Sequence, residues 1–266
     1  MIEIEYVLHD CFVVRTGTRV LLFDYWRDPS GKSPLGAEDR DKSVTVFVSH
    51  GHKDHYNPEI FGWSEGARDI RYVVSRDVWR RIRHILTPES VYRGPKVDAA
   101  RVTPMKPGDS ATVGDCTVYA LLSTDIGNSY LICCGGKTIF HAGDLNAWTW
   151  RDESTEAEID EALQKYNECL DRIEECMKSH GLERIDYCFF PVDSRIGSRY
   201  WEGAGIFLRR FDVDLFFPMH CGLGDDEERE SRRRDALMFS RYANPQRGQY
   251  VGLLTPGDRY CDCRNK

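Results

Sequence analysis

His50-Gly51-His52-Lys53-Asp54-His55 (HGHKDH) places four potential metal donors within six residues. It follows Val44 to Ser49 (VTVFVS), a run that stays apolar rather than alternating, as expected of a strand covered on both faces. Strands of that kind deliver catalytic loops at their ends. Histidines two apart in an extended segment point the same way and can grip one ion, whereas Asp54 and His55 lie where the chain turns and can address a second. Imidazole and carboxylate together suit zinc, iron or manganese. The alternative is a polar loop that merely caps a helix at Asn57 and Pro58. Eight histidines scattered over 266 positions, however, would seldom place three within six.

N-terminal to this loop, IEIEYVL, CFVVRTG and TRVLLFD are rich in β-branched and aromatic residues and predict strands. C-terminal to it, IRYVVS, ATVGDCTVYALL, SYLICC and KTIFHA predict more, with Gly135 and Gly136 making a tight hairpin turn between the last two. Then the period changes. Thr155 and Glu158 form a capping box, and Ile159, Ala162, Tyr166, Cys169, Ile173 and Cys176 recur at helical spacing up to Gly181. The closing third alternates strand IDYCFFPV, a helix near Ala204 to Phe211, strand DLFFPM, a charged helix near Glu227 to Tyr242 and a short strand VGLL. Strand runs and helices in this order predict an α/β fold in which two sheets pack together with helices outside, a four-layer αββα sandwich. No linker divides the chain, so a single domain over 1–266 is expected. No repeat of 20 to 50 residues is visible.

The net charge of −7 disfavours a nucleic-acid partner. The basic clusters Arg76 to His84 and Arg232 to Arg234 both sit in helical patterns, where charge marks a solvated face. Ten cysteines without repeated spacing argue against a disulfide framework and for buried thiols, and Cys261 and Cys263 read as a frayed tail. The N-terminus lacks a signal-peptide pattern and no apolar run is long enough to span a membrane, so a cytoplasmic protein without membrane contact is expected. Oligomeric state leaves no mark in the sequence.

HGHKDH resembles the HxHxDH signature of the metallo-β-lactamase superfamily, and the order of elements resembles that family from Met1 to about Leu254. The resemblance implies a site for one or two divalent ions, with zinc first and manganese or iron admitted, held by His50, His52, Asp54 and His55. It further implies that Asp144, in FHAGD, bridges two ions and that His220, in FFPMH, is the last ligand. One departure stands out. Where the family has a histidine some twenty residues before the bridging aspartate, this chain reads Leu122-Ser123-Thr124-Asp125-Ile126-Gly127, and either Asp125 substitutes as an oxygen ligand, the favoured reading, or the position is left to water and one ion binds weakly. His9 and Asp24 resemble residues of the lactonase-like and ribonuclease Z-like branches, where they pack near or hydrogen-bond the metal loop. The role of His141 is left open.

A bound divalent metal makes water nucleophilic near neutral pH without an activated serine or cysteine, and Asp54 would orient that water or take its proton. Trp148, Trp150 and Arg195 could wall a pocket for an apolar body carrying an anionic group, with Arg199, Tyr200, Trp201 and Asp193 nearby. The leading expectation is hydrolysis of a small ester, lactone or phosphate-bearing metabolite. A nuclease resembling ribonuclease Z would need a basic arm that the chain lacks, and a metal-binding protein without turnover is the third reading.

Overall fold

β-Branched and aromatic runs become strands in a computed structural model that describes residues 1–31, 33–64, 69–87, 94–241 and 249–264. The chain forms two compact units, Met1–Lys106 with Thr255–Lys266, and Pro107–Leu254. Each is built on its own seven-stranded mixed sheet.

The first sheet contains β1 (Ile2–Leu8), β2 (Cys11–Arg15), β3 (Arg19–Phe23), β4 (Ser43–Val48), β5 (Ile70–Ser75), β6 (Val102–Met105) and a returning edge strand, Arg259–Asp262. The edge strand, β1, β2 and β3 pair antiparallel, and β3 to β6 pair parallel. β4 is buried along all but its first residue, as its unbroken apolar run predicts. Its Val46 and Val48 share a core cluster with Ile60, Phe61, Tyr72 and Val74, and the short helix α1 (Arg76–Ile82) docks there through Val78 and Ile82.

The second sheet contains β7 (Ser110–Val113), β8 (Cys116–Leu121), β9 (Ser129–Cys134), β10 (Lys137–His141), β11 (Ile185–Pro191), β12 (Val213–Met219) and β13 (Gln249–Tyr250). β7 to β10 pair antiparallel and β10 to β13 parallel. Gly135 and Gly136, both at positive φ, turn β9 into β10 as expected. α2 (Glu156–Ser179) starts at the predicted capping box and buries Ile159, Tyr166, Cys169 and Ile173. α3 (Glu202–Arg210) and α4 (Asp226–Met238) follow.

Several expectations needed correction. ATVGDCTVYALL is a hairpin rather than one strand, because Gly114 at φ 65° reverses the chain. The charged helix ends at Met238, and Tyr242 lies outside the described residues. VGLL is not a strand, since the pairing stops at Tyr250. The supposed tail becomes the final β14 (Arg259–Asp262), an edge strand whose Arg259 reaches Glu3 at 3.3 Å and Glu5 at 3.1 Å on β1. Its alternating polar pattern suits a strand with one neighbour, which is why hydrophobicity failed to reveal it. A disulfide joins Cys116 and Cys134 across β8 and β9, while the other eight cysteines are free. No helix among the described residues is long and apolar enough to cross a membrane.

Candidate metal centre

In the first unit the HGHKDH loop leaves the end of β4 and meets Asp24, which follows β3. Because β3 and β4 are parallel neighbours in register, Phe23 against Phe47, Asp24 is brought beside Ser49. Its Oδ1 accepts from the Ser49 N–H at 2.7 Å, and its Oδ2 accepts from the Ser49 hydroxyl at 2.6 Å and from His55 Nδ1 at 2.9 Å. Ser49 Oγ lies 3.0 Å from His50 Nδ1. The serine has one proton and gives it to the carboxylate, so we assign the Nδ1–H tautomer to His50, donating to Ser49. His55 donates from Nδ1 to Asp24, with Asp10 Oδ2 also within 3.2 Å. Both rings therefore keep Nε2 as a lone-pair donor, the arrangement in which a carboxylate orients a metal-binding histidine. His50 Nε2 lies 2.9 Å from His52 Nδ1, which brings the second imidazole of the pair to the same point.

His9, Asp54 and His55 each offer a ligand atom within 4.8 Å of the others. His9 Nε2 is 3.5 Å from Asp54 Oδ2, and its N–H donates to the Tyr6 hydroxyl at 2.8 Å. Burial works to raise the Asp54 pKa, but the hydrogen bond from His9 and the charges of His55 and His9 hold this carboxyl well below the usual carboxylate range.

In the second unit Asp144 follows β10 through Gly143, whose φ of 53° turns the chain, and the Gly143 N–H donates to His141 Nδ1 at 3.3 Å. The backbone beyond is pinned. Trp148 Nε1 donates to the Asp144 carbonyl at 2.8 Å, and the Thr124 hydroxyl donates to the Asn146 carbonyl at 2.8 Å while accepting from the Asn146 N–H at 3.1 Å. His220, at the end of β12, has Nε2 3.1 Å from Asp144 Oδ1 and Nδ1 2.9 Å from Asp193 Oδ2. An imidazole whose two nitrogens both face carboxylates carries a second proton or shares a cation with one of them. Arg195 forks onto Asp193 through Nε and Nη2 at 2.8 and 2.5 Å, and Nη2 reaches within 3.0 Å of His220 Nδ1. Burial opposes ionisation of Asp193, yet its bonds to His220 and Arg195 hold it well below the usual range.

Imidazole nitrogens with their second nitrogen already committed, set among ionised carboxylates, fit a hard or borderline divalent cation such as zinc, iron or manganese.

The β-lactamase superfamily domain profile matches residues 7–170. The chain belongs to that superfamily. Solved structures that the chain resembles include Igni18, a metallo hydrolase from Ignicoccus hospitalis, at 15% identity over 97% of each chain with a TM-score of 0.55. YhfI from Bacillus subtilis matches at 12% identity over 98% of this chain and 99% of that one, with a TM-score of 0.57. CmlA, a diiron β-hydroxylase from Streptomyces venezuelae, matches at 14% identity over 97% of this chain and 53% of that one, with a TM-score of 0.54. At these identities the likeness establishes the fold alone.

Within this superfamily member, other expected site residues fall in mixed surroundings. Asp125 is exposed on its loop and its Oδ1 accepts from the Ile126 N–H at 2.8 Å. Trp148 lies edge-on to His220 at 5.5 Å between ring centres, whereas Trp150 is 39% exposed. Arg199 pairs loosely with Glu202 at 4.0 Å, and the Tyr200 hydroxyl donates to the Asp235 carbonyl at 2.6 Å. Asp10, Ser49, Asp77 and Arg81 were not anticipated. Asp10 adjoins His9 and Ser49 adjoins His50, and neighbourhood to a candidate ligand is the only signal that could have found them.

Proposed function

We propose that the protein is a metal-dependent hydrolase acting on a small ester, lactone or phosphate-bearing metabolite. Its proposed ligands are His50, His52, Asp54, His55, Asp144 and His220, with Asp125 as an oxygen ligand in place of the absent histidine. The observation that carries this reading is the frame of hydrogen bonds on the non-coordinating ring nitrogens. Asp24 accepts a hydrogen bond from His55 Nδ1 and another from the Ser49 hydroxyl, which in turn accepts from His50 Nδ1, and Asp193 accepts from His220 Nδ1. Such a frame fixes tautomer and ring direction before any ion arrives.

A divalent cation there supplies an electrophile for a carbonyl or phosphoryl oxygen and makes water nucleophilic near neutral pH. Asp54, held ionised by His9, is suited to orient a nucleophilic water and poorly suited to store a proton, since a strong acid is a weak base. Trp148, braced by the Asp144 carbonyl, and the exposed Trp150 offer apolar walls. Arg195 fixes Asp193 and, at 32% side-chain exposure, retains surface for an anionic group. The net charge of −7 favours a small substrate over a polynucleotide. A cytoplasmic site of action belongs to the same proposal, supported by the eight free cysteines and opposed by the single Cys116–Cys134 disulfide.

Zinc is the proposed ion. CmlA uses two irons on this fold, so metal analysis of protein purified without chelator is the deciding first step, followed by a screen of esters, lactones and phosphodiesters. At least one equivalent of zinc and turnover of one of these classes are expected. Protein that neither retains metal nor binds it on reconstitution would defeat the reading. Asp54→Asn should abolish turnover with the far-UV circular dichroism unchanged, and Asp125→Ala should lower the metal content.

A further inference from the structure

Gly51 separates His50 from His52, and both of its peptide groups are gripped by α1. The Gly51 N–H donates to Asp77 Oδ2 at 2.8 Å, and the Gly51 carbonyl accepts from Arg81 Nη1. Asp77 is itself held, its Oδ1 accepting from the buried Ser75 hydroxyl at 2.5 Å. Strand register explains the meeting. β5 runs parallel to β4 with Val48 against Val74, so His50 to His52, just beyond β4, and Ser75 to Asp77, at the end of β5, emerge side by side. A Cβ at position 51 would lie 2.6 Å from Arg81 Nη1 and 2.9 Å from Asp77 Oδ2, so the close double grip depends on glycine.

We propose that Asp77 and Arg81 are positioning residues for the histidine pair, clamping the peptide on either side of Gly51 so that His50 and His52 are presented together to a metal ion. The inference rests on the metal-centre reading above. The peptide planes flanking Gly51 set the backbone directions from which both imidazoles project. Held at the N–H and at the carbonyl, the two rings have their side-chain torsions left to order when an ion binds; released, the glycine link also samples backbone states, and binding must then freeze them. The basic run Arg76 to His84 thus contains two residues with a specific partner in the loop, Asp77 and Arg81, while Arg80 in the same helix is exposed.

Cobalt(II) titration of the full chain, followed by visible absorption and by competition with a chelator, tests the clamp. Asp77→Ala should weaken Co2+ binding tenfold or more, the range seen for partners behind metal ligands. Asp77→Asn keeps an acceptor for the Gly51 N–H and should stay within about threefold of the parent, while Arg81→Ala should weaken binding and Arg80→Ala should not. Thermal unfolding of the metal-free proteins should differ by only a few degrees. Equal Co2+ affinity in the parent and Asp77→Ala overturns the clamp and leaves the metal centre standing. Asn as weak as Ala at position 77 overturns it too, because charge would then matter and the hydrogen bond would not. A parent that binds no Co2+ overturns both readings. If Asp77→Ala fails to fold, Arg81→Ala decides, unchanged affinity counting against the clamp.

Discussion

Asp24 does more for the first unit's donors than any ligand candidate. Its backbone sits at φ 42°, a left-handed conformation costly for most side chains and tolerated by Asp and Asn. His9, Trp148, Trp150, Arg199 and His220 share that unusual backbone, so all six such non-glycine residues described were named for the site or its surroundings. Strain of this kind persists where surrounding contacts over-determine it, and here hydrogen bonds do so. Asp24→Asn isolates the chemistry, since asparagine suits the backbone yet can no longer accept from both the Ser49 hydroxyl and His55 Nδ1. One ring should change tautomer and lose its Nε2 lone pair. A fall in metal affinity of about tenfold to a hundredfold is expected by chelator competition, and unchanged affinity would refute the frame.

At the scale of elements, α2 and α3 hold the Asp144 loop from behind. The Tyr166 hydroxyl of α2 donates to the Gly203 carbonyl at 2.8 Å, and Gly203 lets α3 approach so closely that an added Cβ would collide with Asn146 Oδ1 and come within 2.9 Å of the Ala147 backbone nitrogen. Gly203→Ala should therefore cost about 1–3 kcal/mol in urea unfolding despite alanine's better helix propensity, and a neutral or stabilising result would show that the loop gives way. The cap is simpler. Thr155→Ala removes an acceptor for the Glu158 N–H and should cost about 1 kcal/mol by the same measurement.

Across the whole molecule, both sheets change from antiparallel to parallel pairing halfway across, at β3 in one and β10 in the other. Asp24 follows β3 and Asp144 follows β10. The HGHKDH loop follows β4, and Asp193 and His220 follow β11 and β12, so the candidate donors and their orienting carboxylates come from the carboxyl ends of parallel strands near each switch. In open sheets the loops at the carboxyl ends of parallel strands are the ones that carry ligands. Stability should respond to ligand and to acid. Zinc should raise the melting temperature and a chelator lower it, since an ion that binds only the folded state stabilises by mass action. Burial raises the pKa of Asp39, but Arg15, Lys42 and the Gly36 N–H together bring it below the ordinary carboxylate range. A carboxyl depressed in the folded state contributes stability above its unfolded pKa of about 4, and that contribution is lost as pH falls through the lower folded value. Urea midpoints measured below about pH 5 should fall less steeply for Asp39→Asn than for the parent.

Local sequence alone determined the metal-binding class, the strand-rich fold, the capped helix α2 and the glycine hairpin, because each depends on residues close together in the chain. HGHKDH needs only one strand end to gather its donors. The family resemblance already set Asp24 beside the loop, but only tertiary structure decided which atoms it and the other partners reach. Asp24 reaches Ser49 and His55 through strand pairing, Asp77 and Arg81 reach Gly51 from a helix more than twenty residues on, and β14 pairs with β1 across nearly the whole chain. No periodicity marks such partners, since a carboxylate that orients a histidine looks, in sequence, like any other surface aspartate.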